Sequence, residues 1–381
     1  MLDIRAQIAS ELNLNPNIVQ NVLELFAEGA TIPFIARYRK ERTDEMNEIV
    51  LRELEERFTY LTELSARKES ILSSIESQDK LTPELRSKIE SCLLKTELED
   101  LYLPYKPKRR TRATIAREKG LEPLAELIRS LNNTSAKPVE LEPEATKYID
   151  EAKGVKTAAE ALAGASDIIA ESTADKANLR AYIREYIQSE GQFKSKIKDD
   201  VAEGSTKFEM YRKYTAPVSK VAPHNLLALF RGETEKVLSL ELEFSEDDIC
   251  EYLATQEIKT KIPAIREFYR SMLKDAFTRL MKTSLVNEVR AESKLQADIG
   301  SITNFETNLR ELLLSAPAGM KPTLAIDPGF RSGCKVAVLS ETGKYLAYEA
   351  VFPHQSANQR QQAAATVKRF IEKYQIQLIA I

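Results

Sequence analysis

From Asp44 to Gln78 the chain runs without a glycine or proline, while Val50, Leu54, Phe58, Leu61, Leu64, Leu72 and Ile75 recur at steps near three and four. Only a helix places such steps on one face. At 1.5 Å per residue this single helix is roughly 50 Å long. Its other faces carry Glu, Arg and Lys, as in LRELEER. A stripe this narrow suits a coiled-coil-like arm, and the arm separates a short N-terminal segment from the rest of the chain.

Before the arm, DIRAQIASELN reads as one helix. Asn15 and Pro16 read as the cap and first position of a second, which Gly29 stops. Ile18, Val22, Leu25 and Phe26 form its stripe. After the arm, Thr82-Pro83-Glu84 restarts a helix whose Leu85, Ile89, Leu93 and Leu94 are placed to pack back on it. Thr157-Ala-Ala-Glu160 is a capping box before an Ala-rich helix. Helical period continues from Leu179 to Ile187. KVLSLELEFS (236–245) alternates as a short β element does. Helix returns from about Ile265 to Leu314, with Phe268, Met272, Phe277, Leu280, Met281, Leu285 and Val289 as its stripe.

SAPAGMKP (315–322) is the clearest linker, and beyond it the grammar changes. TLAID, CKVAVLS and YLAYEAVFP read as strands, the last two joined by a turn at Glu341–Lys344. NQRQQAAATVKRFIEKYQ reads as an amphipathic helix and IQLIAI as a fourth strand. A helical crossover lays this last strand parallel to the first. The β-β-β-α-β order is the first half of a ribonuclease H-like fold. A bare apolar strand at the end would leave an open edge, so the reading is an N-terminal part of a longer protein. The expected divisions are an N-terminal helical module (1–43), the arm (44–100), a helical region with a short β element (101–314), the linker, and a partial α/β domain (323–381).

The 381 residues, 43% hydrophobic and 30% charged with 12 Gly and no Trp, suit a helix-rich chain of two or three domains. No apolar run approaches the roughly 18 residues of a membrane span, and the N-terminus does not read as a signal peptide. Cys92, Cys250 and Cys334 lie far apart, without metal-ligand spacing. A cytoplasmic location is expected, and no cofactor or metal. His224 and His354 stand alone. Neither a nucleophile elbow nor a phosphate-binding glycine loop is present.

The net charge of −3 hides two basic runs. RYRKER (37–42) holds four basic residues and one acid. Its Phe34, Ile35 and Tyr38 are expected to pack inward, leaving Arg37, Arg39 and Lys40 either in a structural joint or on nucleic acid. KPKRRTRATIAR (106–117) holds six basic residues and no acid. Pro104 and Pro107 oppose helix there. Lys106, Lys108, Arg109, Arg110 and Arg112, with Tyr102 and Tyr105 nearby, form an extended loop fit for a phosphate backbone, for ion pairs with acidic helices, or for plain solvation. In LAIDPGFRSG, Asp327 ends a strand, as a ligand of a two-metal nuclease would. Two-metal chemistry needs several converging carboxylates. Lys335 and Glu349 are not placed as partners, and IQLIAI offers none, so Asp327 reads as a turn residue or as a conditional ligand only.

Five stretches together resemble the Tex family, the bacterial transcription accessory proteins related to a eukaryotic elongation factor. They are GATIPFIARYRKERTDEM (29–46), LEDLYLPYKPKRRTRATIAREKGLEPLA (98–125), HNLLALFRGETEKVLSL (224–240), FETNLRELLLSAP (305–317) and LAIDPGFRSGCKVAVLSETGK (324–344). The resemblance implies a helix-turn-helix-like part, a coiled-coil arm and a YqgF-type domain of ribonuclease H-like fold. Helix-hairpin-helix elements and an OB-fold RNA-binding domain would come after these. It implies binding of RNA or DNA and a link to transcription. Where relatives are expected to carry His-Arg, this chain has His224-Asn225, which leaves that basic position without a role. The resulting expectation is a non-catalytic, nucleic-acid-binding transcription accessory scaffold. Its rivals are a metal-dependent resolvase-like nuclease and a protein-binding scaffold that docks on RNA polymerase or ribosome-associated machinery.

Overall fold

The computed structural model describes residues 3–135, 139–329 and 331–381. Two compact units result, Met1–Ser301 and Ile302–Ile381.

The first unit begins with α1 (Ile4–Glu11), α2 (Pro16–Ala27), α3 (Ile32–Tyr38), α4 (Lys40–Thr43) and α5 (Glu48–Glu76). The Asn15 side chain caps α2, and Pro16 starts it. The long helix is shorter than 44–78. Asp44 and Glu45 adopt left-handed backbone at φ 52° and 57°, and Asn47 then accepts from the amides of Ile49 and Val50. Its buried stripe is Leu51, Leu54, Leu61, Leu64, Lys68, Ile71 and Ile75. Several short helices share that stripe: α1 and α3, and also α6 (Pro83–Ser91) and α7 (Lys95–Tyr102). Ile89 packs back on α5 as expected, but Leu94 does not. It is the residue before α7 and is 52% exposed, because Leu98, one turn on, fills the core. Lys68 is the one charge in the stripe, and its ammonium donates to the Glu90 carbonyl at 2.7 Å, beside the end of α6. Burial lowers the Lys68 pKa.

A second core is built by α8 (Arg112–Glu118), α9 (Glu122–Leu131), α10 (Leu141–Thr146), α11 (Ala158–Ala174) and α12 (Ala177–Glu190). The capping box before α11 is present with a shift. The Glu160 amide donates to Thr157 Oγ1 at 3.1 Å, but the Glu160 carboxylate reaches back to the Lys156 amide. Helices α13 (Pro223–Thr234), α14 (Glu246–Glu257) and α15 (Pro263–Asp275) follow, and α16 (Lys282–Leu314) runs past Ser301. The helix expected from Ile265 to Leu314 is interrupted by a π-helical turn over Ala276–Met281. That turn keeps Phe277 and Met281 on the buried side.

The short β element expected at 236–245 is one strand of three. β1 (Gln192–Ile197) lies between β2 (Lys213–Pro217) and β3 (Leu238–Glu243), antiparallel to both. One face, with Phe193, Ile197, Leu238 and Leu240, packs on α13, and the other is solvated.

In the second unit β4 (Thr323–Asp327), β5 (Cys334–Leu339) and β6 (Tyr345–Val351) pair antiparallel in succession. Helix α17 (Ala357–Tyr374) crosses back so that β7 (Leu378–Ala380) pairs parallel to β4. This is the β-β-β-α-β order read from the sequence. Leu324, Val336, Val338, Val351, Ala363 and Phe370 form its core.

Candidate nucleic-acid interface

Lys106–Thr111 link a short 3-10 turn at Leu103–Tyr105 to α8, whose first residue is Arg112. Gln78 anchors the turn by donating to the Tyr105 carbonyl at 2.9 Å. Tyr102 is not available to a ligand. It is buried, its hydroxyl is 3.0 Å from Ser74 Oγ, and the Arg67 guanidinium covers its ring. A helix that packs on α5 at Leu98 also turns Tyr102 inward.

The basic residues of the loop divide into two sets. Lys108 lies 2.5 Å from Asp175 and 3.9 Å from Glu171, on and just after α11. Burial pushes the Asp175 pKa up, and the hydrogen bond from Lys108 opposes that rise. Arg110 pairs with Glu118 at 2.6 Å. Arg112 lies near Asp167. Lys106 and Arg109 are exposed and make no ion pair with a described residue. Lys106 and Lys108 also form a wall shared by two clefts. One, of about 580 Å³, reaches Arg180 and Glu288; the other, of about 870 Å³, reaches Lys80 and Arg117.

The RYRKER segment forms the end of α3 and all of α4 but its last residue, Thr43. Arg37 and Lys40 are exposed, and Arg39 is half-buried against the Phe34 ring. Phe34 and Tyr38 do not pack inward, being 39% and 62% exposed. A seven-residue helix has one buried face, and Ile32 and Ile35 occupy it. Arg42 is engaged with Glu24 at 3.2 Å and Glu28 at 3.8 Å.

Asp327 sits at the end of β4, directly across from Lys335, whose ammonium is 3.6 Å from its carboxylate. Glu349 turns to α17, where Thr366 donates to it at 2.9 Å and Arg369 pairs with it. Among the described residues no three His, Cys, Asp or Glu side chains gather where they could hold a metal ion. In the loop after β4, Gly333 has φ +77°, and a Cβ there would lie 2.6 Å from the Phe352 ring. Phe330 lies outside the described residues. The Asn225 carboxamide oxygen accepts from the Tyr211 hydroxyl at 3.0 Å, a polar packing contact at the start of α13.

Sequence reasoning missed two charged arrangements. The first joins α7, α12 and α16: Arg180 and Arg184 both donate to Asp100, at 2.6 and 2.7 Å, and both to Glu288, at 2.9 and 2.7 Å. Burial works against the Arg184 charge, but hydrogen bonds to Asp100 and Glu288 outweigh it and raise its pKa. The second is the solvated face of the three-stranded sheet. Lys196 stands across from Lys213, and Lys198 continues the row. Lys194 of the same face pairs with Glu243, but these three make no ion pair with a described residue. The signal was present: Lys194, Lys196 and Lys198 recur at the strand period of two.

Two helical cores with a small three-stranded sheet, and a separate unit with a β-β-β-α-β crossover sheet, define a mainly helical multidomain class. Residues 2–76 match the Tex-like protein N-terminal domain, residues 135–305 the Tex central region-like family and residues 321–381 the Tex protein YqgF-like domain. The chain belongs to the Tex family. It is 41% identical to "Uncharacterized protein YdcI" of Bacillus subtilis, over 99% of this chain and 52% of that protein. It is 38% identical to "Transcriptional accessory protein Tex" of Neisseria gonorrhoeae, over 100% of this chain and 49% of the relative. With human "S1 RNA-binding domain-containing protein 1" the identity is 29%, over 91% of this chain and 36% of the relative. The chain thus spans about half the length of the bacterial relatives. No helix among the described residues is long and apolar enough to cross a membrane.

Proposed function

We propose that this chain is a non-catalytic scaffold that holds RNA or DNA for a transcription accessory factor. The carrying observation is that Arg37, Lys40, Lys106 and Arg109 are exposed and make no ion pair with a described residue, although the chain as a whole is acidic. Exposed cations without an ion-pair partner among the described residues are suited to phosphates, while the paired Lys108 and Arg110 hold the loop in place. The helix-turn-helix-like module and the coiled-coil-like arm of α5 with α6 and α7 would act as the frame that spaces these contacts. The names of relatives, a transcriptional accessory protein and an S1 RNA-binding domain-containing protein, support the reading.

The non-catalytic part rests on Asp327 facing Lys335 while Glu349 faces α17. The test is affinity for RNA and DNA measured against salt. A steep negative log–log slope is expected, and a Lys106→Glu/Arg109→Glu variant should weaken binding and flatten the slope. Unchanged binding in that variant overturns the loop's part. Manganese-dependent cleavage that is lost in Asp327→Asn overturns the non-catalytic part.

A further inference from the structure

Helix α3 presents two aromatic rings to solvent, one turn apart. The Phe34 and Tyr38 centroids are 5.4 Å apart, with the planes tilted at 44°. Core packing does not account for them, because Ile32 and Ile35 already fill the buried face of this short helix. The Arg39 guanidinium lies 4.9 Å from the Phe34 centroid, and its Nη1 donates to the Tyr38 carbonyl at 2.8 Å. That hydrogen bond holds Arg39 beside the Phe34 ring and leaves the Tyr38 ring uncovered by it. Arg37 and Lys40 flank the pair, exposed and without an ion pair to a described residue. The segment's remaining cation, Arg42, is held by Glu24 and Glu28 and leaves the site to these three.

Exposed π faces beside unneutralised cations suit single-stranded nucleic acid: bases stack on the rings, and the cations track the phosphates. A duplex keeps its base faces stacked inside and has nothing to offer the rings. We propose that α3 is a base-stacking element, with Phe34 and Tyr38 stacking on the bases of a single strand and Arg37, Arg39 and Lys40 contacting its phosphates. The proposal rests on the nucleic-acid reading above and gives it a strand class and a contact mode.

The chain contains no Trp, so Tyr38→Trp makes α3 the only source of tryptophan fluorescence. The Tyr38→Trp variant of the whole 381-residue chain is titrated with oligo(U), oligo(dT), an abasic oligomer of equal length and a duplex. Quenching by the two base-bearing strands, and none by the abasic strand or the duplex, is expected. In the otherwise natural chain, Phe34→Ala/Tyr38→Ala should lower single-strand affinity at least about fivefold, the lower end of what base–aromatic stacking is worth, and leave the salt slope in place. Phe34→Leu/Tyr38→Leu keeps apolar volume without a π face, and the same loss is expected from it. If the chain binds single strands while both double variants bind as the natural chain does, the stacking element is overturned and the nucleic-acid reading stands. Equal quenching by the abasic strand also overturns it. If the natural chain binds no nucleic acid even at low salt, both readings fall.

Discussion

Arg180 Nε donates to Asp100 Oδ1 across 2.6 Å, and the two side chains are only 6% and 7% exposed. Asp100 belongs to α7, which packs with the N-terminal helices, and Arg180 to α12, which packs in the second core. Their contact joins the two cores by charge. Asp100→Ala leaves two largely buried guanidinium groups to share Glu288, and removing one partner of a buried pair costs about 3–5 kcal/mol. Urea unfolding should shift to a clearly lower midpoint in Asp100→Ala, with a smaller shift in Asp100→Asn, which keeps an acceptor. Equal midpoints for Asp100→Ala and the natural chain would show that the cores do not depend on this pair.

Gly333 and Gly343 both have left-handed backbone, at φ +77° and +81°, but their surroundings differ. A Cβ on Gly333 runs into the Phe352 ring, and one on Gly343 meets nothing within 4 Å. Gly333→Asn should therefore lower the melting temperature by the equivalent of about 1–3 kcal/mol, and Gly343→Asn by much less, since Asn tolerates this backbone. Similar losses at both sites would mean that backbone strain alone governs them.

Lys196 and Lys213 oppose each other on adjacent strands without an acid between them. Like charges in that position destabilise a sheet, so Lys213→Glu should raise stability by about 0.2–1 kcal/mol. The gain should fade in high salt, as expected of exposed charges. Thermal melts at two ionic strengths test both statements.

Hydrogen bonds from Arg57 hold the Glu11 pKa below the ordinary 4.5, and those from Arg67 do the same for Glu99. A lowered carboxylate pKa gives stability that is full above 4.5 and is lost as pH falls through the folded value. Acid should thus loosen the attachment of α1 and α7 to α5 below about pH 4.5. Arg67→Gln should flatten the pH dependence of stability in that window and leave it unchanged near neutrality. A profile of Arg67→Gln that stays parallel to that of the natural chain would exclude the pair as a cause.

Local signals carried much of this fold. Asn15, Thr82 and Thr157 cap the helices their positions suggest, and uninterrupted periodicity located α5. The order of strands and helix after Thr323 was readable because neighbouring elements pair. What failed was non-local or competitive. β1 and β2 are joined through a long irregular segment, and their alternation is masked by lysines and small residues. The Asp100 network draws on α7, α12 and α16, so no window of sequence contains it. Phe34 and Tyr38 read as core because their spacing is helical, and spacing alone does not say which of two faces a short helix buries.

Lys108 has a carboxylate at the place where a phosphate would sit, since Asp175 already holds its ammonium. A strand that reaches Lys108 would exchange one anion for another and release no bound cation from solution in doing so. The number of phosphates counted from a salt titration would then fall short of the number touched. The internal acid would act as a standing competitor, relieved only when that carboxylate is protonated or removed.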